Sequence, residues 1–429
     1  MKKNKSIIYL IYSIIVFVFE LSLLLQDKSL SPSLIPFYLS FYIFGYFSIC
    51  EYNKTKNLFS LEIIFNLFGL LYTNYYISQL IYANEPISNN VYISMYLSYL
   101  SMFSFNVAYM LTKTGVKTHS KNIKYNSTII FRLLLLFLIV SLAAEVYVIF
   151  IKIGFETYAS ASRAKQTLLM GDYSILSFYK NTIPLISFTS LYFGAKNKSK
   201  KYYALFAISF IIAILNSFLS VSRAELLSLL LPVIFLMSTL KKIKIGKIIL
   251  MSILIFILFG AWKGIANGET NIISYDSEFN TWYKICNNVL SDDIQYINGE
   301  SYGKTAINLF IPITKTESLS TWYVKKYEHD IYLRGGGRGF SGVLEAYINF
   351  SWIGNIIIYA IYGIIIKKIK KDTDLQIIIY MIVMISIYQM FRSESYSLWK
   401  NMAWFKILPI LIIFYISRRS NNKIELEKR

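Results

Sequence analysis

Long runs of apolar residues, separated by short polar stretches, recur along almost the whole chain. Each run has about 18 to 25 residues, enough for a helix to cross a hydrocarbon layer about 30 Å thick. The pattern therefore predicts an all-α polytopic membrane protein with about twelve transmembrane helices, folded as one integral membrane domain over residues 1–429. The predicted spans are 7–25, 34–50, 58–82, 91–111, 128–151, 174–194, 202–219, 222–239, 246–266, 341–366, 375–392 and 402–417.

Composition supports the membrane class. The chain is 55% hydrophobic with a mean hydropathy of +0.48, and charged residues make up only 16%, against roughly 25% in soluble domains. A net charge of +20 would suggest nucleic acid in a soluble protein, but here most lysines lie in short loops, where they orient the helices. No nucleic-acid partner is therefore expected. The two cysteines, Cys50 and Cys286, form no disulfide framework or zinc spacing.

The distribution of basic residues among the loops predicts the topology. One alternate set of loops is rich in lysine and arginine and the other is not, which assigns the basic set to the cytoplasm. Both termini are then cytoplasmic, and the long segment 267–340 is a large extracytoplasmic loop within the membrane domain. Both termini can lie on the same side only if the number of spans is even, so twelve spans fit this assignment and eleven do not. The first run follows MKKNK without a small-residue cleavage site, so we expect a retained helix.

Two outer segments are long enough to hold structure of their own. Residues 152–173 are predicted to contain a short interfacial helix. The loop 267–340 is too long for a plain connection and carries many aromatic residues and apolar runs such as INLFIPI. We expect it to fold as short helices over the membrane face.

Arginine is distributed unevenly. The chain has nine arginines against 35 lysines, and the predicted topology puts five arginines at or near the outer face: Arg163, Arg223, Arg334, Arg338 and Arg392. A charge used only for orientation can be either residue, whereas the planar guanidinium binds phosphate oxygens in pairs. These five are therefore candidate substrate-binding residues.

Arg223 lies between two apolar spans with almost no loop. An arginine inside a membrane helix costs about 2.5 kcal/mol or more, so it should face the bundle interior or a wet cavity. We predict a catalytic role in binding a diphosphate. An ion pair with Glu225, or extension of the side chain to the membrane interface, is the alternative.

Arg334 and Arg338 flank a triple glycine in RGGGRGFSGVLEAYINF. Glycine allows close backbone approach to a ligand, and two guanidiniums on such a loop suit a diphosphate. The alternative is a flexible hinge with solvated charges. The GRGFSG segment matches G-x-G-x-x-G, but no strand precedes it, so we reject a dinucleotide site. Arg392 could contact the substrate or form an ion pair at the rim of the bundle. Arg163 could contact the substrate or only lipid headgroups.

Ser341, Glu345 and Asn349 are spaced four residues apart, so they share one face of a helix. Glu345 could accept a proton from a sugar hydroxyl, with Arg338 as the nearby cation. The alternative is a polar helix-packing face. His329 is a reserve base, although a solvated loop histidine is the simpler interpretation. Asp292 and Asp293 lack further metal ligands, and no metal or other cofactor is expected.

These residues carry a resemblance. The many spans, the large loop in the second half, Ser222-Arg223 on a middle helix and GGGRGFSGVLEAYINFSWIG leading into a late span resemble the Wzy-type polymerases of O-antigen or capsule repeat units. The layout covers the whole chain, and the motif covers about twenty residues. Ser341, Tyr347 and Asn349 fall in that motif and are added to the substrate-binding candidates. Where the family pattern usually has a glycine after Asn-Phe, this chain has Ser351.

The resemblance implies a metal-independent membrane glycosyltransferase with a GT-C-like fold. A growing glycan on undecaprenyl diphosphate would be transferred to the next lipid-linked repeat unit at the outer face of the bacterial plasma membrane. Donor and acceptor are then both lipid-linked oligosaccharides. Membrane lipids, a chain-length regulator and a flippase are the other implied partners. The residues themselves suggest Arg223 and Arg338 as catalytic donors to the departing diphosphate and Glu345 as the catalytic base.

Two other functions remain alternatives. An O-antigen ligase would typically show a histidine-containing motif in the large outer loop, and the surroundings of His329 do not match one. A flippase or transporter of lipid-linked oligosaccharide would predict broken helices and inverted repeats, and no repeat is visible.

Overall fold

The computed structural model describes residues 35–83, 85–113, 125–160, 182–219, 223–239, 246, 278–292, 294, 296–311, 317–333 and 338–427. All regular structure in these residues is helical. The helices of the first half are α1 Ile35–Thr55, α2 Leu61–Tyr82, α3 Asn89–Leu111, α4 Ser127–Val146 with a π-helical extension Tyr147–Ile153, α5 Phe155–Ser160, α6 Ile183–Asn197, α7 Lys200–Leu219 and α8 Arg223–Thr239. Those of the second half are α9 Glu278–Ser291, α10 Glu300–Phe310, α11 Leu319–Tyr327, α12 His329–Leu333, α13 Gly342–Lys368, α14 Asp374–Ile387, α15 Gln389–Arg392, α16 Ser395–Met402 with a π-helical segment Ala403–Ile407, and α17 Leu408–Glu427.

Within the described residues, five helical stretches are long and apolar enough to cross a membrane: Ser127–Ile153, Lys200–Leu219, Gly342–Lys368, Asp374–Arg392 and Ser395–Arg418. The chain is therefore an all-helical, multi-pass membrane protein. The predicted spans 34–50, 58–82 and 91–111 correspond to the helices Ile35–Thr55, Leu61–Tyr82 and Asn89–Leu111. The spans 7–25 and 246–266 lie outside the described residues apart from residue 246, as does the start of 174–194. The total of twelve stays a prediction.

Polar residues set several helix starts. The Asn126 side chain accepts hydrogen bonds from the backbone N–H groups of Thr128 and Ile129 at the start of α4. Thr373 and Gln376 form a reciprocal capping box at the start of α14. Such caps satisfy backbone donors that a helix leaves without internal partners. Local sequence therefore fixes these boundaries.

Among the described residues, α3 and α13 form the most extensive contact between two helices. Gly363 makes it possible, because a Cβ there would lie 2.3 Å from the Phe105 carbonyl oxygen. Buried polar pairs cross the same region: Asn66 and Asn106 exchange side-chain hydrogen bonds of 2.6 and 3.0 Å. Small residues and hydrogen bonds between side-chain amides typically hold the helices of a membrane bundle together, because the hydrophobic effect contributes little inside lipid.

The long segment 267–340 contains four short helices in its described part, α9 to α12. The first of them, α9, is fixed to one end of the bundle by two buried side chains. Trp282 Nε1 donates to the Phe391 carbonyl at 2.9 Å, and the Tyr283 hydroxyl donates to the Thr73 carbonyl at 2.6 Å. The expected short helices are present, and the segment is packed onto the bundle rather than free of it. Its outer location stays a prediction. Of 152–173, the structure describes the short α5 and the residues before it.

The span predicted at 341–366 is not one straight helix. Phe350 and Ser351 have non-helical backbone angles. Residues 343 and 355 would be about 18 Å apart in a straight helix, yet Asn355 Nδ2 donates to the Val343 carbonyl at 2.9 Å. The chain therefore folds back at this point. We call residues 342–349 the short arm and residues 352–368 the long arm of α13.

Ser351 has φ 58° and ψ −163° at the fold-back. This region of backbone space is almost restricted to glycine and costs other residues about 1–3 kcal/mol. Ser351→Gly is therefore expected to stabilise the protein by about 1 kcal/mol, after allowing for the extra chain entropy of glycine. Chemical unfolding in detergent measures the change.

The control is Ser238→Gly in α8, where φ is negative. That substitution should destabilise the protein by about 0.5–1 kcal/mol. Equal destabilisation by both changes would show that Ser351 carries no backbone strain.

Candidate active site

The short arm is held against the junction of α14, α15 and α16. Ser341 caps it by accepting a hydrogen bond from the Leu344 N–H at 3.1 Å. A Cβ at Gly342 would lie 2.4 Å from the Met390 carbonyl oxygen and 3.0 Å from that of Ser393. Only glycine permits this approach, which sets the depth at which the following polar residues sit.

Glu345 is 1% exposed and its carboxylate accepts three hydrogen bonds. Oε1 accepts from the hydroxyls of Ser301 and Ser395, each at 2.7 Å, and Oε2 accepts from the Ser395 backbone N–H at 2.6 Å. Asn349 Nδ2 donates to the Ser301 hydroxyl at 2.9 Å and to the Glu345 carbonyl at 2.7 Å. We call Ser301, Glu345, Asn349 and Ser395 the carboxylate cluster.

A cavity of about 310 Å³ lies beside this cluster. That volume is at the lower end of the range for small-molecule sites. Ser301 lines the cavity and also donates to Glu345, so its hydroxyl connects the buried carboxylate with the cavity. The lining combines aromatic, hydroxyl and charged side chains, including Trp322, Tyr396, Ser318, Glu300, Glu317 and Lys304.

Glu394 lines the same cavity and ties α11 to the start of α16. Its carboxylate accepts from the backbone N–H groups of Leu319 at 2.5 Å and Ser320 at 3.3 Å, and from the Ser397 hydroxyl at 3.0 Å. Burial raises the pKa of this carboxyl, although these donors oppose the rise. Its bonds to residues 74 and 75 positions away could not be inferred from spacing.

Arg338 is paired with Glu328 and not with Glu345. Arg338 Nε lies 2.8 Å from Glu328 Oε2, and Lys284 Nζ lies 2.8 Å from Glu328 Oε1. Burial raises the pKa of the Glu328 carboxyl, but the bonds from Lys284 and Arg338 outweigh it and hold the pKa below its ordinary value. The proposed role of Arg338 as the cation beside Glu345 is therefore wrong, and hydroxyls and a backbone N–H surround that carboxylate instead.

Lys284 and Arg338 together line a polar groove of about 480 Å³. Two cations share one carboxylate there, so this group of three has a net charge of +1. Lys284 was not among the sequence candidates, because nothing in its local pattern separates it from orienting lysines. The groove has further amide and hydroxyl groups, which come from Asn280, Thr281, Ser88 and Asn287.

The other predicted residues are placed as follows. Arg392 lies against the glycine-rich segment, since a Cβ on Gly339 would be 3.3 Å from Arg392 Cγ and 3.4 Å from Nε. The Tyr347 ring is 6.1 Å from that of Tyr296. Arg223 is the first residue of α8, and the structure describes its backbone but not its side chain. Arg163 and Arg334 lie outside the described residues, so the pairing of arginines around one diphosphate stays a prediction.

The reserve candidates find local partners. His329 is exposed at the start of α12, with its ring 5.9 Å from that of Tyr332. Asp292 pairs with Lys326 at 2.6 Å and accepts from the Tyr327 hydroxyl at 2.7 Å, which ties α11 to the end of α9. Asp293 lies outside the described residues. In the described part of the chain, no group of three or more His, Cys, Asp or Glu side chains could hold a metal ion.

Comparison with known proteins points to one family. The family model described as O-antigen polysaccharide polymerase Wzy matches residues 7–423, nearly the whole chain. No curated protein and no solved structure gives a significant match. The match includes the membrane helices, the long segment with α9 to α12, and both arms of α13. The chain belongs to the Wzy family of O-antigen polysaccharide polymerases.

Proposed function

We propose that the protein transfers a glycan from undecaprenyl diphosphate to the next undecaprenyl-diphosphate-linked repeat unit, at the outer face of the plasma membrane. A hydroxyl oxygen of the acceptor sugar attacks the anomeric carbon of the donor glycan. The bond from that carbon to the diphosphate oxygen breaks, and undecaprenyl diphosphate leaves with the electron pair. The acceptor hydroxyl loses its proton to a base. The reaction uses no metal.

The observation that carries this proposal is a buried carboxylate reached from a saccharide-sized cavity through one hydroxyl. The acceptor hydroxyl binds in the 310 Å³ cavity next to Ser301. Ser301 accepts its proton while passing its own to Glu345, which is 2.7 Å away. Proton transfer through a positioned group of this kind contributes typically about 10²- to 10⁴-fold in rate. Trp322 also lines this cavity and would supply an aromatic contact for a sugar ring.

Guanidinium and ammonium groups stabilise the departing diphosphate. Arg338 and Lys284 line the polar groove, and Arg392 lies next to Gly339 in the same glycine-rich segment. Fixed donors aimed at developing negative charge can replace a metal in this role. Arg223, and with it Arg163 and Arg334, would act on the same diphosphate or on the saccharide.

The setting of this reaction follows from the predicted topology. Both termini are placed in the cytoplasm and α9 to α12 on the outer face, where lipid-linked repeat units are present after transport by a flippase. A chain-length regulator would act on the same polymerisation. The glycine-rich segment and the carboxylate cluster are then reached from outside the cell.

Reconstitution tests the function. The purified full-length protein in lipid nanodiscs is supplied only with lipid-linked repeat units isolated from a strain that lacks this polymerase. We expect a ladder of polymers on a gel, with undecaprenyl diphosphate released in an amount equal to the bonds formed. A ladder of the same length in EDTA is expected from the metal-free mechanism.

Each alternative predicts a different product. A ligase would form no ladder and would transfer saccharide only when a lipid A–core acceptor is added. A flippase would change the sidedness of the lipid without forming any covalent product. Either result would contradict the proposed transfer.

A further inference from the structure

A second polar cavity, of about 130 Å³, lies among the helices α6, α7, α8 and α14 and the π-helical segment of residues 403–407. It is at the same end of the bundle as the short arm, because Tyr388 and Gln389 line it and Met390 contacts Gly342. Its polar lining includes Asn216, Asn401, Glu225 and Lys406. None of these residues belongs to the carboxylate cluster or lines the polar groove of Lys284 and Arg338.

Lys406 is the unusual member of this lining. It lies near the middle of the stretch Ser395–Arg418, one of those that can cross a membrane. Ionisable side chains at such positions are costly, and those that are kept generally pair with something or serve a substrate path. Among the described residues, no carboxylate forms an ion pair with Lys406. Its segment is π-helical, an irregularity that is frequent at functional sites.

Two carboxylates are close to the same cavity. Glu225 lines it, and Glu145 Oε2 accepts a hydrogen bond of 2.9 Å from Asn216 Nδ2. The Glu145 carboxylate therefore has a hydrogen-bond donor in Asn216. Lys406 can either balance the charge of Glu225 or bind an anion from outside the protein. These two roles predict opposite affinities for that anion in a variant that lacks both charges.

The size and lining of the cavity limit what can occupy it. A cavity of about 150 Å³ holds one benzene molecule, so 130 Å³ suits one phosphate-sized group and not an oligosaccharide. Lys406 shares this lining with the amides of Gln389 and Asn401 and with the Glu225 carboxylate, and ammonium and amide N–H groups are donors that phosphate oxygens accept from. Because Lys406 lies in the middle of a stretch that can cross the membrane, a phosphate group that reaches it must be attached to a lipid chain.

We propose that Lys406 and the surrounding cavity bind a phosphate group of a polyprenyl diphosphate lipid within the membrane. This deepens the proposed function and rests on it. The lysine ammonium donates to a phosphate oxygen, and the amide of Asn401 donates to another. The lipid chain enters from the bilayer between the helices that line the cavity.

Equilibrium binding to the full-length protein in nanodiscs tests the site, with radiolabelled undecaprenyl diphosphate as probe and undecaprenol as the uncharged control probe. In an Arg338→Lys background, where the polar groove competes less for the diphosphate, Lys406→Met is expected to raise the Kd for undecaprenyl diphosphate at least tenfold and to leave undecaprenol binding within twofold. Lys406→Arg should stay within about threefold of the wild type. The matched control is Lys400→Met, because Lys400 lies on the same stretch, donates to the Tyr396 hydroxyl and does not line the cavity.

Stability separates a binding role from a structural one. Removing an uncompensated charge from a membrane helix should raise the melting temperature of Lys406→Met, whereas loss of a structural ion pair should lower it. The double variant Lys406→Met/Glu225→Gln is expected to bind as weakly as Lys406→Met alone. Wild-type affinity in the double variant, or in Lys406→Met itself, would overturn the proposal.

The two proposals fail in different ways. If the wild type polymerises repeat units and binds undecaprenyl diphosphate, and Lys406→Met binds it equally well, only the site is wrong. If the wild type binds neither undecaprenyl diphosphate nor the lipid-linked repeat unit, the proposed substrate class fails and the site fails with it.

Discussion

Glu345→Gln is expected to lower the turnover number of polymerisation at least 100-fold, with little change in KM. Glutamine keeps the shape of the side chain but cannot take a proton from Ser301, and a positioned base contributes about 10²- to 10⁴-fold. The free energy of unfolding should fall by only about 1–2 kcal/mol, because the hydroxyls of Ser301 and Ser395 can rotate to accept hydrogen bonds from the new amide. The measurement is the initial rate of ladder formation in nanodiscs against repeat-unit concentration.

Asp330→Asn is the control for this change. Asp330 is exposed on α12 and does not line the cavity, so its loss should leave the rate within about twofold. Ser301→Ala should also slow turnover, since it removes the hydroxyl that joins the cavity to the carboxylate. Near-full polymerisation by Glu345→Gln would place the base elsewhere and leave the carboxylate cluster as a packing feature of the short arm.

Arg338→Lys is expected to lower kcat/KM at least tenfold and to collapse the product from a ladder to single repeat units. Lysine keeps the charge and can still reach Glu328, but it loses the planar fork that binds two phosphate oxygens at once. Arg223→Lys should have the same effect if its guanidinium contacts the same diphosphate. Polysaccharide gels of cells that express each variant at normal level give the product length, and nanodisc assays give the rates.

Glu328→Gln distinguishes a substrate role of Arg338 from a structural one. If Arg338 binds diphosphate, removal of the shared carboxylate leaves Arg338 and Lys284 free for phosphate, and the KM for the lipid-linked unit should fall or stay unchanged. If the guanidinium only anchors Glu328, then Arg338→Lys and Glu328→Gln should lower the melting temperature and the rate together. Ladders of normal length from both arginine variants would remove these residues from the mechanism.

The glycine-rich stretch around Arg338 shows where sequence reasoning succeeds and where it ends. The periodicity of four correctly put Glu345 and Asn349 on one helical face, because that relation is local, whereas Ser341 is the N-cap of the short arm. The cation assigned to Glu345 was wrong, since Arg338 turns to Glu328 ten residues earlier. The true donors to Glu345 come from residues 44 and 50 positions away, and no local pattern encodes such pairs.

The sequence by itself determined the membrane class, the all-helical fold and the positions of most helices. These follow from the length of apolar runs, since a helix can satisfy its backbone groups in lipid without any neighbour. It also located the motif that carries the family resemblance, which the match over residues 7–423 bears out.

Only the tertiary structure decided how α13 folds back at Ser351 and which side chains surround Glu345, Glu328 and Lys406. Each of these depends on contacts between segments far apart in the chain: Asn355 with Ser101, Ser395 with Glu345, and the convergence of α6, α7, α8 and α14 on one cavity. The energies of such contacts are set by burial and by the loss of competing water, which exist only once the helices have packed. The chemistry of the site therefore resides in pairings that the linear pattern does not contain.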